Sequence, residues 1–228
     1  MGTHLKALAA RTNPKTAAIF PLSGTVLLPG CDLPLNIFEP RYLNMIDDAI
    51  KSERLIGMVQ TLEDGMLAKV GGLGRIIQFA EMDDGRYMIV LRGLKRFHLG
   101  QHVKTSAPYA QANINFKGFA RDIDIHEDND TPEALSSHKG ERGALTMAMK
   151  AYAKTLGVQL DWDNLKQIPL DRLVDQAAMI SPFRPEDKQS LLEAKTHEDR
   201  RRLLIGLMHL YSDTPYGNTP DGDNSTLQ

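Results

Sequence analysis

The sequence has one cysteine, Cys31, among 228 residues. A single cysteine excludes an intramolecular disulfide and a zinc site built from several cysteines. No apolar run approaches the roughly 20 residues of a membrane-spanning helix, and the N-terminus has no apolar core of a secretory signal. The 27 basic and 29 acidic residues nearly cancel, leaving a net charge of -2, which does not favour nucleic-acid binding. We therefore expect a cytoplasmic globular protein that has no membrane partner.

Familiar catalytic and nucleotide-binding motifs are also missing. The glycine-rich stretch GGLG at residues 71–74 lacks the Gly-Lys-Ser/Thr ending of a phosphate-binding loop, and we interpret it as a turn that needs positive φ angles. No G-x-S-x-G motif predicts a hydrolase nucleophile. Cys31 is followed by an acidic residue, which disfavours a thiolate, so we interpret it as a small residue in a turn.

Metal-binding patterns are incomplete. His98 and His102 lie four residues apart in a β-like segment, and two histidines alone make a poor zinc site. The acidic stretch 121–141 matches a calcium loop at three positions, but Glu127 occupies the position where that loop needs glycine. We interpret the stretch as a solvated linker. The sequence thus predicts no metal, no cofactor and no catalytic residue.

Four prolines lie between Pro21 and Tyr42, a segment that reads PLSGTVLLPGCDLPLNIFEPRY. The residues between the prolines are mostly apolar, which is typical of a folded core and not of a disordered proline-rich segment. Because proline cannot donate to a β-ladder, we interpret these prolines as ending short edge strands and protecting their edges.

Short apolar runs separated by turn residues predict a barrel or sandwich. We expect strands at residues 17–20, 25–28, 33–38, 55–60, 74–82, 86–93, 95–99 and 109–116. Asp84-Gly85 predicts a hairpin between two of these runs, and Gly93 is expected to separate two more. One helix is predicted from about Pro40, a residue that suits the first helical turn.

After Phe119 the pattern becomes helical, with apolar residues recurring at helical spacing. Asp161 is expected to cap a short helix with Trp162 as a rim anchor, and the run Arg200–Arg202 is expected to be solvated. The predicted fold is α+β: a β-rich barrel with one inserted helix, followed by an α-helical bundle. The predicted segments are a flexible leader (1–16), the β-rich subdomain (17–120), the acidic linker (121–140), the bundle (141–211) and a disordered tail (212–228).

Residues 21–46, PLSGTVLLPGCDLPLNIFEPRYLNMI, resemble the N-terminal substrate-recognition domain of Lon proteases, and more closely small stand-alone bacterial proteins made of that domain. The agreement continues through IGMV (56–59), GGLGRIIQFAEMDDGRYMIVLRGLKRFHL (71–99) and PEDKQSLLEAKTHEDRRRLL (185–204). The resemblance implies a PUA-like pseudo-barrel followed by a helical bundle. Full-length Lon continues into ATPase and Ser-Lys protease modules. Here the chain ends about seventeen residues after the last predicted helix, so we expect neither activity.

The resemblance implies binding of unfolded or tagged polypeptide, with a protease or a chaperone as further candidate partners. A barrel edge can add a peptide strand through main-chain hydrogen bonds, and exposed apolar residues near that edge would supply contact area. The candidate contact residues are Leu27, Leu28, Arg96 and Phe97; the alternative is that all four pack in the core. The residues expected to be structural are Glu39, Pro40, Arg41 and Tyr42, with a Glu–Arg pair tying the start of the helix to the barrel.

Two other functions are considered. PUA-like barrels elsewhere bind small ligands or RNA, which is a fold-level analogy only, and the charge balance argues against RNA. An enzyme would need a buried titratable group in a cleft, and the sequence offers only the isolated candidates Glu81, Asp83 and His98.

Overall fold

The short apolar runs of the first half form six β-strands of one sheet. The structure is a computed structural model and describes residues 11–119, 122 and 139–213. The strands are β1 (Thr16–Pro21), β2 (Asp32–Ile37), β3 (Leu55–Val59), β4 (Val70–Glu81), β5 (Tyr87–Val103) and β6 (Gln111–Asn115). The helices in the described part are α1 (Pro40–Ile50), α2 (Lys139–Leu156), α3 (Trp162–Gln167), α4 (Leu170–Ile180), α5 (Pro185–Glu193) and α6 (His197–Asp213). The predicted α+β class, with one helix inserted among the strands, is confirmed.

Five of the six strands close into a ring. β1 pairs in parallel with β3 and antiparallel with β6, and β6 also pairs with the C-terminal part of β5. β4 joins β3 to β5, so the order β5-β4-β3-β1-β6 returns to β5. Closure removes the unpaired edges that an open sheet would leave. β2 lies outside the ring and pairs with β5 alone.

The hairpin of β4 and β5 extends beyond the ring. β3 pairs only with residues 72–75 of β4, whereas β4 and β5 remain paired up to the turn. Gly85 in that turn has a φ of 80°, which confirms the hairpin predicted from Asp84-Gly85. We use the term hairpin extension for β2 together with residues 76–81 of β4 and 87–92 of β5.

Two predictions about strands are wrong. The runs 86–93 and 95–99 are not separate strands but parts of the single strand β5, with Gly93 inside it. Residues 25–28 are not a strand at all; they cross the sheet at close range. A β-carbon on Gly93 would lie 2.1 Å from the carbonyl oxygen of Leu28, so glycine is needed there for close approach and not for a turn.

The turn predicted at GGLG is also wrong, for the same physical reason. Residues 71–74 lie within β4, and none of their glycines has a positive φ. A β-carbon on Gly72 would lie 2.1 Å from the carbonyl oxygen of Leu27, and one on Gly71 would lie 2.5 Å from that of Met58. Gly72 therefore lets the Leu27 backbone pass directly over the strand, and Gly71 leaves room for the carbonyl group of the neighbouring strand β3.

Helix α1 begins where the sequence predicts, with Pro40 at its first position. Nε and Nη2 of Arg41 donate to Glu39 at 2.9 and 2.7 Å, but both residues belong to the start of the helix. Tyr42 does contact the strands, since its ring lies 4.5 Å from that of Phe20 in β1, and Asp47 of the same helix accepts a hydrogen bond from Tyr87 of β5 at 3.1 Å. These contacts, and not the ion pair, link the helix to the sheet.

The chain divides into two compact units. The first comprises the described residues up to 122 together with 175–194, and therefore includes α5 and the C-terminal half of α4. The second comprises the described residues 139–174 and 195–213. The predicted leader, linker and tail lie largely outside the described residues, and the predicted boundaries at 120 and 141 stay predictions.

The second unit is helical. Asp161 caps α3 as predicted, since its carboxylate accepts from the backbone N–H groups of Asp163 and Asn164. The arginine run, however, is solvated only at Arg202. Arg200 and Arg201 are buried, and Arg201 pairs with the carboxylates of Glu141 and Glu198. Within the described residues no helix is both long and apolar enough to cross a bilayer.

Candidate functional site

The four residues predicted to contact polypeptide are buried. Leu27, Leu28 and Phe97 are at most 1% exposed, and Arg96 is 3% exposed. Phe97 packs in the core with apolar residues of β1, β3 and β4, and the Leu27–Leu28 backbone covers the glycines of β4 and β5. None of these side chains reaches solvent, so a contact surface has to lie elsewhere.

Arg96 instead holds helix α5 in place. Its Nε and Nη2 donate to the carboxylate of Asp122 at 2.9 and 2.7 Å. Its Nη1 donates to the carbonyl oxygens of Leu192 and Ala194, at 2.8 and 2.6 Å, where α5 ends. Asp122, predicted to be part of a solvated linker, is buried by this contact. Of the other predicted linker residues, the structure describes Lys139 and Gly140, which begin helix α2; the rest lie outside the described part.

The other end of α5 is held by glutamines. Gln60 Nε2 donates to the carbonyl oxygen of Pro185 at 2.6 Å, and Gln189 Nε2 donates to that of Val70 at 3.1 Å. Both glutamines are buried. Helix α5 is therefore hydrogen-bonded to the strands or their ends at both of its own ends and belongs to the first unit.

The residues considered for catalysis are far apart. Glu81 and Asp83 lie at the hairpin tip, where Glu81 pairs with Tyr87 of β5. His98 lies in the same strand, eleven residues beyond Tyr87. That separation corresponds to about 35 Å of extended strand. No cluster of three or more histidine, cysteine or acidic side chains suited to a metal ion occurs among the described residues. The structure therefore does not assemble the catalytic group that the sequence left open.

A cleft of about 240 Å³ lies between α1 and β1. Its wall includes Asp48, whose carboxylate accepts from the Tyr109 hydroxyl at 2.9 Å. Burial, followed by this hydrogen bond, raises the pKa of Tyr109. Typical small-molecule sites have volumes of about 300–1,000 Å³, so the cleft gives little support to a small-ligand function.

Large apolar side chains are exposed on the hairpin extension and directly beside it, since Phe38 follows β2 and Met82 follows β4. We call these four residues the hairpin patch: Phe38, Phe79, Met82 and Met88, which are between 39% and 65% exposed. Sequence reasoning missed them, although the runs 74–82 and 86–93 carry apolar residues at both odd and even positions. That pattern signals a strand with apolar side chains on both faces.

The two faces of the extension differ. On the inner face, Ile37 and Ile89 are buried in the core around α1. On the outer face, Met88 of β5 lies between Asn36 of β2 and Ala80 of β4, and all three are exposed. The outer face therefore presents methionine to solvent at the centre of a three-stranded sheet.

Hydrogen bonding at the turn determines which main-chain groups face outward. Met82 donates its backbone N–H to the carbonyl oxygen of Arg86 at 2.8 Å. Met82 and Arg86 therefore form a hydrogen-bonded pair, and bonded and non-bonded pairs alternate along an antiparallel ladder. The pairs Glu81–Tyr87 and Phe79–Ile89 are then non-bonded ones, so Phe79 and Glu81 direct their N–H and C=O groups away from β5. β3 has already ended on that side. Among the residues that the structure describes, no strand pairs with this side of Phe79 and Glu81, so the two form a free edge of β4.

β2 provides a second free edge, but a proline interrupts it. Gly93 donates its backbone N–H to the carbonyl oxygen of Cys31 at 2.9 Å. By the same alternation, Asp32, Pro34 and Asn36 face away from β5. Pro34 has no N–H, so the middle of this edge lacks a donor.

Acidic side chains surround the hairpin tip. The Asp84 carboxylate accepts from Nε of Arg86 at 2.7 Å, and hydrogen bonds from Arg86 lower the pKa of Asp84. Glu81 and Asp83 form no ion pair with the described residues. Burial raises the pKa of Tyr87 most, followed by the hydrogen bond to Asp47 and its charge, while the charge of Glu81 raises it least. The free edge of β4 is therefore apolar at Phe79 and negatively charged at Glu81.

Comparison with known proteins adds sequence relatives. A family model described as the ATP-dependent protease La (LON) substrate-binding domain matches residues 16–209. The Lon protease of Roseiflexus castenholzii is 25% identical over 207 residues, which cover 86% of this chain and 24% of that protein. The Lon protease of Flavobacterium johnsoniae is 31% identical over 108 residues, covering 44% and 13%. The chain thus spans a quarter or less of the length of these relatives.

Two solved structures have a similar fold. A Lon N-terminal domain protein from Xanthomonas campestris aligns with a TM-score of 0.58 and 22% identity, covering 85% of this chain and 98% of that one. The N-terminal domain of a Mycobacterium avium complex Lon protease aligns with a TM-score of 0.59 and 22% identity, covering 86% and 98%. At this identity the comparison shows the fold alone.

Proposed function

The chain belongs to the family of ATP-dependent protease La (LON) substrate-binding domains, and from this membership we propose that it binds unfolded or tagged polypeptide without cutting it. The protein acts in the cytoplasm, and a protease or a chaperone receives the polypeptide it holds. The observation that carries the proposal is the hairpin patch, whose large apolar side chains are exposed on both faces of the extension: Met88 on the outer face, and Phe79 on the face that it shares with its partner Ile89. Phe38 and Met82 are exposed just beyond the ends of β2 and β4.

The chemistry of the hairpin patch supports binding of varied sequences. Met82 and Met88 are flexible and polarisable, and methionine is common on surfaces that accept many partners. Phe79 adds a rigid aromatic ring, whose centroid lies 4.9 Å from that of Tyr87 in an edge-to-face arrangement. Folded proteins bury such side chains in their own cores, so an unfolded polypeptide is the partner that presents matching apolar groups.

The test is a titration of the chain into a labelled, reduced and carboxymethylated protein that cannot fold, followed by fluorescence anisotropy. We expect saturable binding that persists at high salt, because apolar contacts are not screened. Replacing Met82 and Met88 together by aspartate should raise the Kd about tenfold or more.

Met147→Asp is the matched control, because Met147 is exposed but belongs to α2 in the second unit. It should leave the Kd unchanged. The proposal fails if the unfolded protein does not bind, or if Met147→Asp weakens binding as much as the double variant does.

A further inference from the structure

We infer that the bound segment adds to the free edge of β4 as an extended strand, and that Glu81 selects a lysine or arginine two residues from an apolar side chain placed beside Phe79. This inference rests on the proposed function and specifies its substrate: an extended segment that is both apolar and basic. It also assigns the recognition to one strand edge and not to the hairpin patch as a whole.

The main chain of β4 supplies the docking groups. Phe79 and Glu81 each present one N–H and one C=O to the side where β3 has ended. The register shift beside Ile77 disturbs the ladder at one end of this edge, and the turn after Glu81 ends it at the other. The edge therefore accepts a short strand, through which alternate residues exchange main-chain bonds with Phe79 and Glu81.

Side chains of β4 set the preference. Residues two apart in a strand lie on the same face, so Phe79 and Glu81 face the same way as every second residue of the added strand. The Phe79–Tyr87 ring pair provides an apolar wall for one such residue. The Glu81 carboxylate forms no ion pair with the described residues, so a basic side chain directly opposite it gains a favourable cross-strand charge pair.

The edge of β2 is unsuited to the same role. Its central outward residue is Pro34, so an added strand would lose a main-chain donor in the middle. Asp32 at its start is already engaged, since its carboxylate accepts from Nε and Nη2 of Arg92 at 2.5 Å each. Of the two free edges, only that of β4 combines an uninterrupted main chain with an unpaired charge.

The first test uses two labelled peptides, SVKVFVKVS and SVEVFVEVS. Both read the same in either direction, so parallel and antiparallel docking are covered. We expect the lysine peptide to bind the unaltered chain about fivefold more tightly than the glutamate peptide. Glu81→Gln should remove that preference, and Glu81→Lys should invert it. An equal preference in all three proteins overturns the inference.

The second test addresses the main chain. In an added strand, the N–H groups of the central phenylalanine and of the neighbouring valine point to opposite sides, so only one of them faces β4. Methylating these two amides, one in each of two peptides, should therefore affect binding differently. We expect one methylated lysine peptide to lose binding and the other to keep it. If both bind or neither binds, strand addition is overturned.

The two proposals fail separately. If the unfolded protein of the first titration binds but the peptides show no dependence on Glu81 or on amide methylation, strand addition is wrong and the proposed function stands. If the unfolded protein does not bind, the proposed function fails and the inference fails with it.

Discussion

The carbonyl oxygen of Leu27 lies so close to Gly72 that a β-carbon on this residue would be only 2.1 Å from it. The contact joins the proline-rich segment to β4 through backbone atoms. Neither partner can move away by rotating a side chain, so the strand and the segment that crosses it depend on each other.

Gly72→Ala should therefore destabilise the first unit by more than about 3 kcal/mol, because backbone must shift to admit one methyl group. Urea unfolding at constant pH measures the change. Gly206→Ala is the control: a β-carbon there meets nothing within 4 Å, and alanine in a helix is favoured over glycine by about 0.5–1 kcal/mol. Equal effects of the two substitutions would contradict the crossing.

Asp122→Ala should destabilise the chain by about 3–5 kcal/mol, because it leaves the buried guanidinium of Arg96 without its carboxylate. The helix α5 loses part of its anchor at the same time. Asp163→Ala breaks an ion pair with Lys166 that is largely exposed and should leave the unfolding midpoint unchanged. The midpoint in urea of both variants checks this contrast.

Lys188 should make stability rise with pH in the alkaline range. It is buried and donates to the carbonyl oxygen of Met179 at 2.8 Å, and burial lowers its pKa below the ordinary value of 10.5. Between the lowered folded pKa and 10.5 the unfolded chain binds more protons, so the free energy of unfolding increases as pH rises.

Lys188→Met should reduce that slope, measured by urea unfolding at several pH values below 10. Above pH 10 the tyrosines act in the opposite direction, because burial raises the pKa of Tyr42 above its ordinary value of 10.0. Burial also lowers the pKa of Lys95, so part of the slope should remain. An unchanged slope in Lys188→Met would show that this lysine is not desolvated.

Pro34→Thr should promote self-association, because it restores an N–H to the middle of the β2 edge. Sedimentation velocity over a range of protein concentrations detects it as a growing dimer or larger species. Asn36→Thr is the matched control, since it changes an outward residue of the same edge that already has its N–H. Concentration-independent monomer in Pro34→Thr would contradict the protective role of this proline.

Local patterns in the sequence predicted local structure. Asp84-Gly85 predicted the hairpin turn, Pro40 the start of α1 and Asp161 the cap of α3, because each depends on a few neighbouring residues. The glycines of residues 71–74 could not be interpreted this way. Their role depends on residues far away in the chain, since Gly72 meets the backbone of Leu27, more than forty positions earlier, and Gly71 meets that of Met58. Composition alone does not distinguish such close approach from a turn.

The candidate site was harder to predict for a related reason. The runs around Phe79 and Met88, apolar at both odd and even positions, predicted strands but not which face of the sheet was covered. That answer required the lengths of the pairings, namely that β3 ends before the hairpin does and that β2 pairs with β5 alone. For Arg96 the sequence left both a contact role and core packing open, because its partner Asp122 lies in a stretch that is typical of a linker.

The closed ring also has a consequence for the order of folding. β1 is paired with β6 through residues about a hundred positions apart, such as Thr16 and Asn113, whereas β4 and β5 are joined by a short turn. Contacts between distant residues form slowly, and hairpins form within microseconds. During synthesis the hairpin that carries Phe79 and Glu81 can therefore form before β6, the last strand of the ring, has left the ribosome.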